Sequence, residues 1–442
     1  MCGIAGIFHL ETAKPVDPAR MQRMIDVMPH RGPDGEGVWT APGIGLGHRR
    51  LSIIDLHGGA QPMASEDARL IVTFNGEIYN FNDIKFELER KGHHFHTHSD
   101  TEVILAAYAQ WGIDCLYHFN GMFAFALWDG KQQRLFCARD RFGIKPFYFH
   151  WNGDMLLFAS ELKSLLQHPA APRRPDDQSI FDYLAIGVSD HTNRTFFEGI
   201  ETLRPGSYLI LETAQQQLKI NTWWDVEINA SIEKSSHAEQ RRIYEEFAAI
   251  VEDAIRIRLR SDVPVGTALS GGLDSSTVVM LANRLLLDEA VIPRALVGAH
   301  QKTFTARNYE EAIDEHYFSR LVIDRTGAEE HLIYPDGQKL WQEFAEFVWY
   351  LDEPVNSTSQ YAQWNVMRLA KRNGVTVLLD GQGGDEIFAG YYSYYAPYLG
   401  QIYQQRGVLP AARAVYDVSR IGGAPVIDML IEDSVHRLPW RV

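Results

Sequence analysis

The sequence has few cysteines and no long apolar run, and both absences narrow what the chain can be. Its 442 residues include only three cysteines, Cys2, Cys115 and Cys137. Three are too few for a disulfide framework, and none are paired at the spacing of a zinc site. No stretch approaches the roughly 18 apolar residues that a membrane-spanning helix needs. The N-terminus lacks the basic start of a secretory signal. We therefore expect a cytoplasmic protein with no membrane partner.

Basic residues are also fewer than acidic ones. The chain has 42 Lys and Arg residues against 57 Asp and Glu residues, for a formal net charge of −15. Such a surface repels phosphate backbones, so we expect no nucleic-acid partner. The acidic excess leaves carboxylates available for divalent cations, which a polyphosphate substrate requires. The length suggests roughly two to four domains, each able to fold without disulfides.

The region from residue 2 to residue 210 has the pattern of short strands separated by turn residues. Amphipathic runs at 87–92 and 101–112 predict helices between the strands. The predicted strands are 2–8, 43–55, 70–80, 123–129, 134–140 and 145–149. This pattern predicts an α+β domain over 2–210, with layered, mostly antiparallel sheets covered by helices.

The pattern changes after a polar, Gln-rich stretch, and we predict a linker over 211–239 and a second domain over 240–442. In the second domain, helical patterns flank two short apolar runs, 263–269 and 375–379, and each run leads into a glycine-rich turn. This alternation predicts an α/β domain with a parallel sheet. Ligands on such sheets bind beyond the carboxyl ends of the strands. We therefore expect a ligand site at the two turns.

Cys2 becomes the first residue of the chain if Met1 is removed. It then carries both a thiol and an α-amine with an ordinary pKa of about 7.7–8.0, which can act as its base. Taken alone, a Cys after Met is more often without function. Seven motifs around it, in chain order, change that weighting: MCGIAGIF (1–8), HRGPDG (30–35), HRRLSIID (48–55), NGEIYN (75–80), SDTE (99–102), GMFAFALWD (121–129) and RDRFGIKPFY (139–148).

These motifs resemble the class II glutamine amidotransferase domain, an N-terminal-nucleophile hydrolase. The resemblance implies that Cys2 attacks the glutamine amide, while the Asn75 side chain and the Gly76 backbone N–H bind the oxyanion. It also implies one cation for the glutamine carboxylate and two carboxylates for its ammonium group. These glutamine-binding residues are Arg50, Glu77 and Asp100.

Simpler explanations exist for each of these residues taken alone. A surface salt bridge or a turn would account for any of them. Arg49 is the alternative to Arg50 for the glutamine carboxylate, and the match to RLSI favours Arg50. Cys115 and Cys137 lie in apolar runs, so we expect them to be inert core residues.

The motif SGGLDSS (270–276) follows a predicted strand and opens a predicted helix. Its glycines let backbone N–H groups approach an anion, and the helix N-terminus adds a favourable field. It lacks the Gly-Lys-Ser/Thr ending of a Walker loop. It resembles instead the ATP-pyrophosphatase (PP-loop) family, which cleaves ATP between the α and β phosphates. The ATP-binding residues that this implies are Leu269, Ser270, Gly271, Gly272, Asp274, Ser275 and Gly381.

The same resemblance implies a Mg²⁺ ion held by Asp274 and by Asp385 of the second glycine-rich turn, because this ion is commonly bound by one or two carboxylates and phosphate oxygens. The two domains in this order resemble the glutamine-hydrolysing asparagine synthetases, and DEPVNSTS (352–359) and LLDGQGGDEIFAGY (378–391) add to the match. This family resemblance implies glutamine, aspartate and ATP as substrates, ATP and Mg²⁺ as cofactors, an ammonia tunnel between two active sites, and a possible homodimer.

Two features depart from that family. Many members carry an acidic residue in the second turn, as SGEG or SGDG, where this chain has Gln382, which cannot act as a base. The acceptor is therefore aspartate or, alternatively, a peptide, sugar or natural-product acid. The family usually continues beyond the segment RLPWRV (437–442), which leaves a short relative and a truncated sequence both open. A catalytically silent binding protein is the third alternative.

Overall fold

The computed structural model describes residues 1–11, 13–227, 236–287, 300–311 and 314–422. The strands of the first half are β1 (Gly3–His9), β2 (Gly35–Ala41), β3 (Ile44–Arg50), β4 (Met63–Ala64), β5 (Leu70–Ile78), β6 (Gly121–Asp129), β7 (Arg134–Arg139), β8 (Tyr148–Trp151), β9 (Met155–Ala159), β10 (Glu201–Thr202), β11 (Ser207–Glu212) and β12 (Leu218–Thr222). Its helices are α1 (Pro18–Asp26), α2 (Phe81–Arg90), α3 (Asp100–Trp111), α4 (Cys115–His118), α5 (Leu162–Leu165) and α6 (Asp177–Ile186).

The strands of the first half form two antiparallel sheets that pack face to face. One sheet has the order β10-β8-β9-β1-β3-β2 and the other β12-β11-β7-β6-β5-β4. Alternate side chains of β1 explain the layering, because successive residues of a strand point to opposite faces. Ile4 and Phe8 pack between the sheets, whereas Ala5 and Ile7 pack beneath α1 and α5. Helices α2 and α3 cover the outer face of the second sheet. The predicted layered α+β fold is confirmed.

Several element boundaries differ from the sequence prediction. The strand predicted over 43–55 ends at Arg50, and the helix predicted over 87–92 spans the longer range Phe81–Arg90. The predicted linker begins with the end of β11 and with β12, which pair in the second sheet. Residues 228–235 of that linker lie outside the described residues. The division into domains stays a prediction.

The second half is built on a parallel sheet, as predicted. Its strands are β13 (Val265–Ala268), β14 (Lys302–Ala306), β15 (Glu329–Ile333) and β16 (Val377–Leu379), in the order β15-β14-β13-β16. All pairings in this sheet are parallel. Its helices are α7 (His237–Arg258), α8 (Leu273–Leu287), α9 (His316–Thr326), α10 (Gly337–Leu351), α11 (Ser359–Arg372), α12 (Gly384–Phe388), α13 (Tyr395–Arg406) and α14 (Val408–Gly422).

The sheet order explains why the two glycine-rich turns meet. The turn at 270–276 follows β13, and the turn at 380–386 follows β16, the strand paired with β13. Because the strands are parallel, both turns lie at the same edge of the sheet. None of the helices in the described ranges is long and apolar enough to cross a bilayer.

Candidate active sites

The first candidate site is a cavity of about 640 Å³ that contains Cys2, the residue just before β1. The Leu51 N–H donates to the Cys2 Sγ at 3.4 Å, and Arg31 donates to the Cys2 carbonyl oxygen at 3.4 Å. Burial raises the pKa of the Cys2 thiol. Burial also lowers the pKa of the N-terminal amino group, here on Met1, to about 5. The lowered pKa favours the free base of the Met1 amine at neutral pH, although the Met1 residue as a whole is 52% exposed, and the raised pKa favours the protonated Cys2 thiol.

Asn75 and Gly76 of β5 line the same cavity. Asn75 is fully buried, and neither its Nδ2 nor its Oδ1 has a hydrogen-bond partner. An unpaired buried amide is costly, so its presence calls for a ligand. A Cβ on Gly76 would lie 2.2 Å from the Met122 carbonyl oxygen, so β5 and β6 require glycine here. The structure thus brings an unpaired donor and a glycine backbone into the cavity of the thiol.

Two carboxylates lie in this cavity as well. Ser99 accepts a hydrogen bond from the Thr101 N–H and caps α3, which places Asp100 in the first turn of the helix. Burial raises the pKa of Asp100 to about 6. Burial, followed by the charge of Asp100, raises the pKa of Glu77 to about 7. A bound ammonium group would stabilise the ionised form of both carboxylates.

Arg50, at the end of β3, also lines the cavity. Its guanidinium donates to the backbone carbonyl oxygens of residues 54–56, which uses three of its five N–H donors and fixes its position. Arg49 points elsewhere. It pairs with Asp26 and Glu36 and is not among the residues that line the cavity.

The loop that holds Arg50 is itself anchored to the second half of the chain. The Asp55 N–H donates to Asp262 Oδ2 at 2.7 Å, and the Asp262 N–H donates to the Ile53 carbonyl oxygen at 2.9 Å. This reciprocal pair joins the loop before β13 to the loop after β3. The position of the Arg50 side chain therefore depends on contacts from both halves.

Lys145 is a cavity residue that sequence reasoning missed. Its side chain is buried and lines the cavity, and burial lowers its pKa. Its positive charge opposes the rise in the pKa values of Cys2 and Glu77. The signal was present in the sequence, because Lys145 lies in the motif RDRFGIKPFY, which the resemblance used without giving this residue a role.

The second candidate site is a cavity of about 700 Å³ at the two glycine-rich turns. The hydroxyls of Ser270 and Ser275 lie 2.9 Å apart, and the Gly272 N–H donates to Ser270 Oγ at 3.2 Å. Gly271 has φ +102°, which favours glycine, and a Cβ there would lie 2.5 Å from the Glu315 carbonyl oxygen. The loop is therefore shaped by its serines and glycines as it enters α8.

The second turn packs directly on the first. A Cβ on Gly381 would lie 2.8 Å from the Ser275 nitrogen, and a Cβ on Gly384 would lie 2.3 Å from Asp274 Oδ2. Burial, followed by the charges of Asp385 and Glu386, raises the pKa of Asp274. Three carboxylates that repel one another are suited to binding a cation, because a positive charge would relieve the repulsion. The described residues hold no preformed cluster of three metal-binding side chains. Mg²⁺ bound by one or two carboxylates and by phosphate oxygens needs none.

The two cavities adjoin each other. Met367 of α11 and Leu378 of β16 line both of them. The far wall of the first cavity also includes residues 374–377 of the second half, so this cavity lies between the halves. Met367 and Leu378 therefore form a wall that the two cavities share.

Two protein families match separate parts of the chain. The glutamine amidotransferase domain family matches residues 1–224, and the asparagine synthase family matches residues 246–420. The chain is 34% identical over 417 residues to a Methanocaldococcus jannaschii protein provisionally named asparagine synthetase (glutamine-hydrolysing) 2. That alignment covers 89% of this chain and 76% of the relative. The chain belongs to the glutamine-hydrolysing asparagine synthetase family.

Other members of the family are longer than this chain. It is 34% identical to asparagine synthetase (glutamine-hydrolysing) 3 of Bacillus subtilis, over 88% of this chain and 63% of that protein. It is 32% identical to amidase chry2 of Gibberella zeae, over 86% of this chain and 56% of that protein. Among solved structures, the Bacillus subtilis glutamine phosphoribosylpyrophosphate amidotransferase complexed with ADP and GMP is 17% identical to this chain, with a TM-score of 0.38. The match covers 86% of this chain and 91% of that protein.

For this member of the asparagine synthetase family, nearly all predicted site residues line one of the two cavities. The first cavity is lined by all six predicted glutaminase residues, Cys2, Arg50, Asn75, Gly76, Glu77 and Asp100. The second is lined by Leu269, Ser270, Gly272, Asp274, Ser275, Gly381 and Asp385. Gly271 is not among the lining residues, although it lies within the same loop.

Proposed function

We propose that this chain makes asparagine from aspartate, with glutamine as the nitrogen donor and ATP as the activating substrate. The single observation that carries the proposal is the pair of adjoining cavities. One contains the half-buried Cys2 thiol, the N-terminal amine of Met1 and the unpaired Asn75 amide, and the other contains a PP-loop turn with converging carboxylates. Met367 and Leu378 line both. Family membership supports the same assignment.

In the first cavity, removal of Met1 would leave the α-amine on Cys2. This amine takes the thiol proton, and Sγ attacks the glutamine amide carbon. The Asn75 Nδ2 and the Gly76 N–H donate to the oxyanion. Collapse forms a thioester and releases ammonia, and water then hydrolyses the thioester to glutamate. Arg50 binds the glutamine carboxylate, and Glu77 and Asp100 bind its ammonium group.

In the second cavity, the backbone and hydroxyl groups of residues 270–276 bind the phosphates of ATP. Asp274 and Asp385 would hold Mg²⁺, which neutralises charge on the pyrophosphate leaving group. The aspartate β-carboxylate attacks the α-phosphate, giving an acyl-adenylate and pyrophosphate. Ammonia passes the wall at Met367 and Leu378 and displaces AMP, so the amide forms where free ammonia is shielded from bulk water.

A second acceptor is favoured by one specific observation. Gln382 stands where many family members have an acidic residue. Asp380, two residues earlier, accepts a hydrogen bond from the Gln382 N–H at 3.1 Å and another from Gln363 Nε2 at 3.4 Å. Both oxygens of its carboxylate therefore already accept a hydrogen bond. The Gibberella zeae relative is named an amidase. The alternative is thus an amidotransferase of the same mechanism that acts on a peptide, sugar or natural-product acid.

Product analysis with labelled nitrogen tests the proposal. The enzyme is incubated with glutamine carrying ¹⁵N in its amide, together with ATP, Mg²⁺ and aspartate, and the products are analysed by mass spectrometry. We expect ¹⁵N-asparagine in step with AMP and glutamate. Glutamate without asparagine, with AMP formed only when another acid is supplied, would favour the alternative. Failure to consume either glutamine or ATP would reject both.

A further inference from the structure

A buried ion network crosses the boundary between the two halves beside the first cavity. Its centre is Lys163 of α5, whose side chain is only 4% exposed. The Lys163 Nζ lies 2.6 Å from Glu161 Oε2 and 2.9 Å from Asp352 Oδ1. Glu161 belongs to the first half, and Asp352 is the residue that follows α10 in the second half. Lys163 therefore bridges the two halves with its charge shielded from water.

The same network continues from Glu161 to the backbone of Cys2. The Glu161 Oε1 accepts a hydrogen bond from Arg31 Nε and lies 2.8 Å from His30 Nε2. Arg31 Nη1 in turn donates to the Cys2 carbonyl oxygen at 3.4 Å. An unbroken series of charge-assisted contacts thus leads from Asp352 through Lys163, Glu161 and Arg31 to Cys2. Bonds between ionised groups are the stronger ones, so the series can fix a backbone position.

Asp352 has a left-handed backbone conformation where it caps the C-terminus of α10. Its φ is +66°, in the left-handed region where glycine is preferred. Its Oδ2 accepts the Lys163 N–H at 3.4 Å while its Oδ1 faces Lys163 Nζ, so one carboxylate binds both the backbone and the side chain of the same residue. The carboxylate of Asp352 therefore fixes both ends of Lys163 from the second half of the chain.

The charges in the network balance. Arg31 and Lys163 supply two cations, and Glu161 and Asp352 supply two carboxylates. Removing the charge of Asp352 leaves a net positive charge in a buried place, which is strongly unfavourable. Glu161 would then have to compensate both cations alone. The expected consequence is a shift of Arg31, and with it of the Cys2 backbone that Arg31 holds.

We propose that Lys163 and Asp352 are positioning residues for Cys2, through which the second half of the chain holds the nucleophile of the first half in place. Neither residue lines either of the two active-site cavities. Their effect on glutamine hydrolysis is therefore indirect, through Glu161 and Arg31. The inference rests on the proposed function at Cys2 and adds a dependence of glutamine hydrolysis on a residue of the synthetase half.

The test is Asp352→Asn in the full chain, with Glu353→Gln as the matched control. Glu353 is the next residue and also contacts the first half, since its Oε1 accepts the Phe196 N–H at 3.0 Å. None of its described bonds leads to Cys2. We expect Asp352→Asn to lower kcat for glutamine hydrolysis about 10- to 100-fold with little change in KM, as for a misplaced reacting group. Glu353→Gln should stay within about twofold of the wild type, as for a contact without a link to the site.

A second readout does not depend on turnover. The rate of Cys2 alkylation by iodoacetamide, followed by peptide mass spectrometry, should change in Asp352→Asn and stay unchanged in Glu353→Gln. Cys115 and Cys137 are fully buried and serve as internal references. Ammonium-dependent synthesis by Asp352→Asn shows that the variant is folded. Adding Lys163→Met to Asp352→Asn should cause little further loss, because both changes break the same network.

Two results would overturn the inference. One is an Asp352→Asn variant whose hydrolysis and alkylation match the wild type. The other is a loss in Glu353→Gln as large as that in Asp352→Asn, because any contact between the halves would then suffice. Failure of the proposed function looks different, since the wild type itself would then hydrolyse no glutamine. Even in that case the alkylation rates would still compare the positions of Cys2 in the two variants.

Discussion

The two halves of the molecule differ in how they bury their apolar residues. Of the twelve largest fully buried side chains in the described ranges, only Phe304 and Phe347 belong to the second half. Around the second site, by contrast, large apolar side chains are exposed: Leu273 by 88% and Ile387 by 70%. Dense packing fixes side chains, and a dry cavity strengthens their electrostatic interactions.

From this difference in burial we infer that the two sites reach their active arrangement in different ways. The polar groups of the first cavity, such as Asn75 and Asp100, are buried and positioned before any substrate binds. The turns of the second site place carboxylates against one another, and these repel until a cation binds. We therefore infer that the first site is preorganised, whereas the second would be completed by the proposed nucleotide and metal. If this contrast holds, substitutions at the two sites should differ in which activity they remove.

Replacing the proposed nucleophile, Cys2, should separate the activities of the two sites completely. We expect Cys2→Ala to lower glutamine hydrolysis by more than about 1000-fold, as for loss of a covalent nucleophile. Ammonium-dependent amide synthesis should continue, since the second site keeps all its groups. Cys137→Ala, which removes a sulfur from the core, is the matched control and should hydrolyse glutamine. Equal loss of both activities in Cys2→Ala would contradict the division of labour.

Replacing a carboxylate of the second site should give the opposite result. We expect Asp274→Asn to lower ATP–pyrophosphate exchange about 100-fold or more, because part of the charge stabilisation by the metal is lost. Glutamine hydrolysis should remain. A calorimetric titration should show weaker Mg²⁺-dependent ATP binding. Asp324→Asn, on the exposed face of α9, is the control. Unchanged exchange in Asp274→Asn would show that this carboxylate holds no metal.

The unpaired amide of the first cavity offers a test of preorganisation. Asn75→Ala should lower kcat for glutamine hydrolysis about 100-fold, the usual cost of one oxyanion donor, while KM changes little. Because the structure gives the amide no hydrogen-bond partner, its removal should lower the melting temperature, measured by differential scanning fluorimetry, only by the small cost of the lost packing. A large loss of stability would instead indicate a structural role for Asn75.

The raised pKa values of the two buried carboxylates predict a pH dependence. The proposed glutamine binding needs both groups ionised, so kcat/KM for glutamine should fall as the pH decreases through about 7 and then about 6, the pKa values of Glu77 and Asp100. Glu77→Gln should remove the step near pH 7 and raise KM about 10-fold, the cost of a lost charged hydrogen bond.

The raised pKa of Glu77 also predicts how the stability of the folded protein depends on pH. A carboxylate whose pKa is higher in the folded protein opposes folding once it ionises. This cost is absent below the pKa of the unfolded chain, grows above it, and is complete above the folded value of about 7. Glu77→Gln should therefore raise the melting temperature at pH 8 and leave it nearly unchanged at pH 4. A lower melting temperature at pH 8 would contradict burial as the cause.

The smallest effect is expected at the wall that both cavities share. Met367→Trp adds bulk beside Leu378, so we expect unchanged glutamine hydrolysis but a lower ratio of amide product to glutamate, with ammonia released to solution. Met367→Leu, of similar volume, is the control. An unchanged ratio in Met367→Trp would place the route for ammonia elsewhere.

The sequence predicted most of the two folds because their patterns are local. Strand alternation, helix periodicity and the turns before α8 and α12 depend on neighbours in the chain, and residues in recognisable motifs could be assigned to sites. Arg50 could be preferred to Arg49 through its motif alone. The side-chain directions of the two arginines, one into the cavity and one to Asp26, agree with that choice.

What the sequence could not predict are features made by distant residues. The motif RDRFGIKPFY contains Lys145, but the burial of this residue in the cavity of Cys2 depends on segments more than a hundred positions apart, which the motif alone does not show. The unpaired state of Asn75 is a property of its surroundings in three dimensions. The pairing of β12 with β11 was missed because a polar, Gln-rich stretch has low strand propensity, and tertiary pairing overrides that preference.

The anchor between Asp262 and the loop after β3 has a consequence for recombining such proteins. Arg50, which we propose binds the glutamine carboxylate, is held by the loop at residues 54–56, and this loop is anchored by Asp262 of the second half. A chimera that joined this glutaminase to a foreign synthetase partner would inherit the thiol intact but could change its affinity for the nitrogen donor. Exchange points placed after residue 263 would carry the anchor along with its loop.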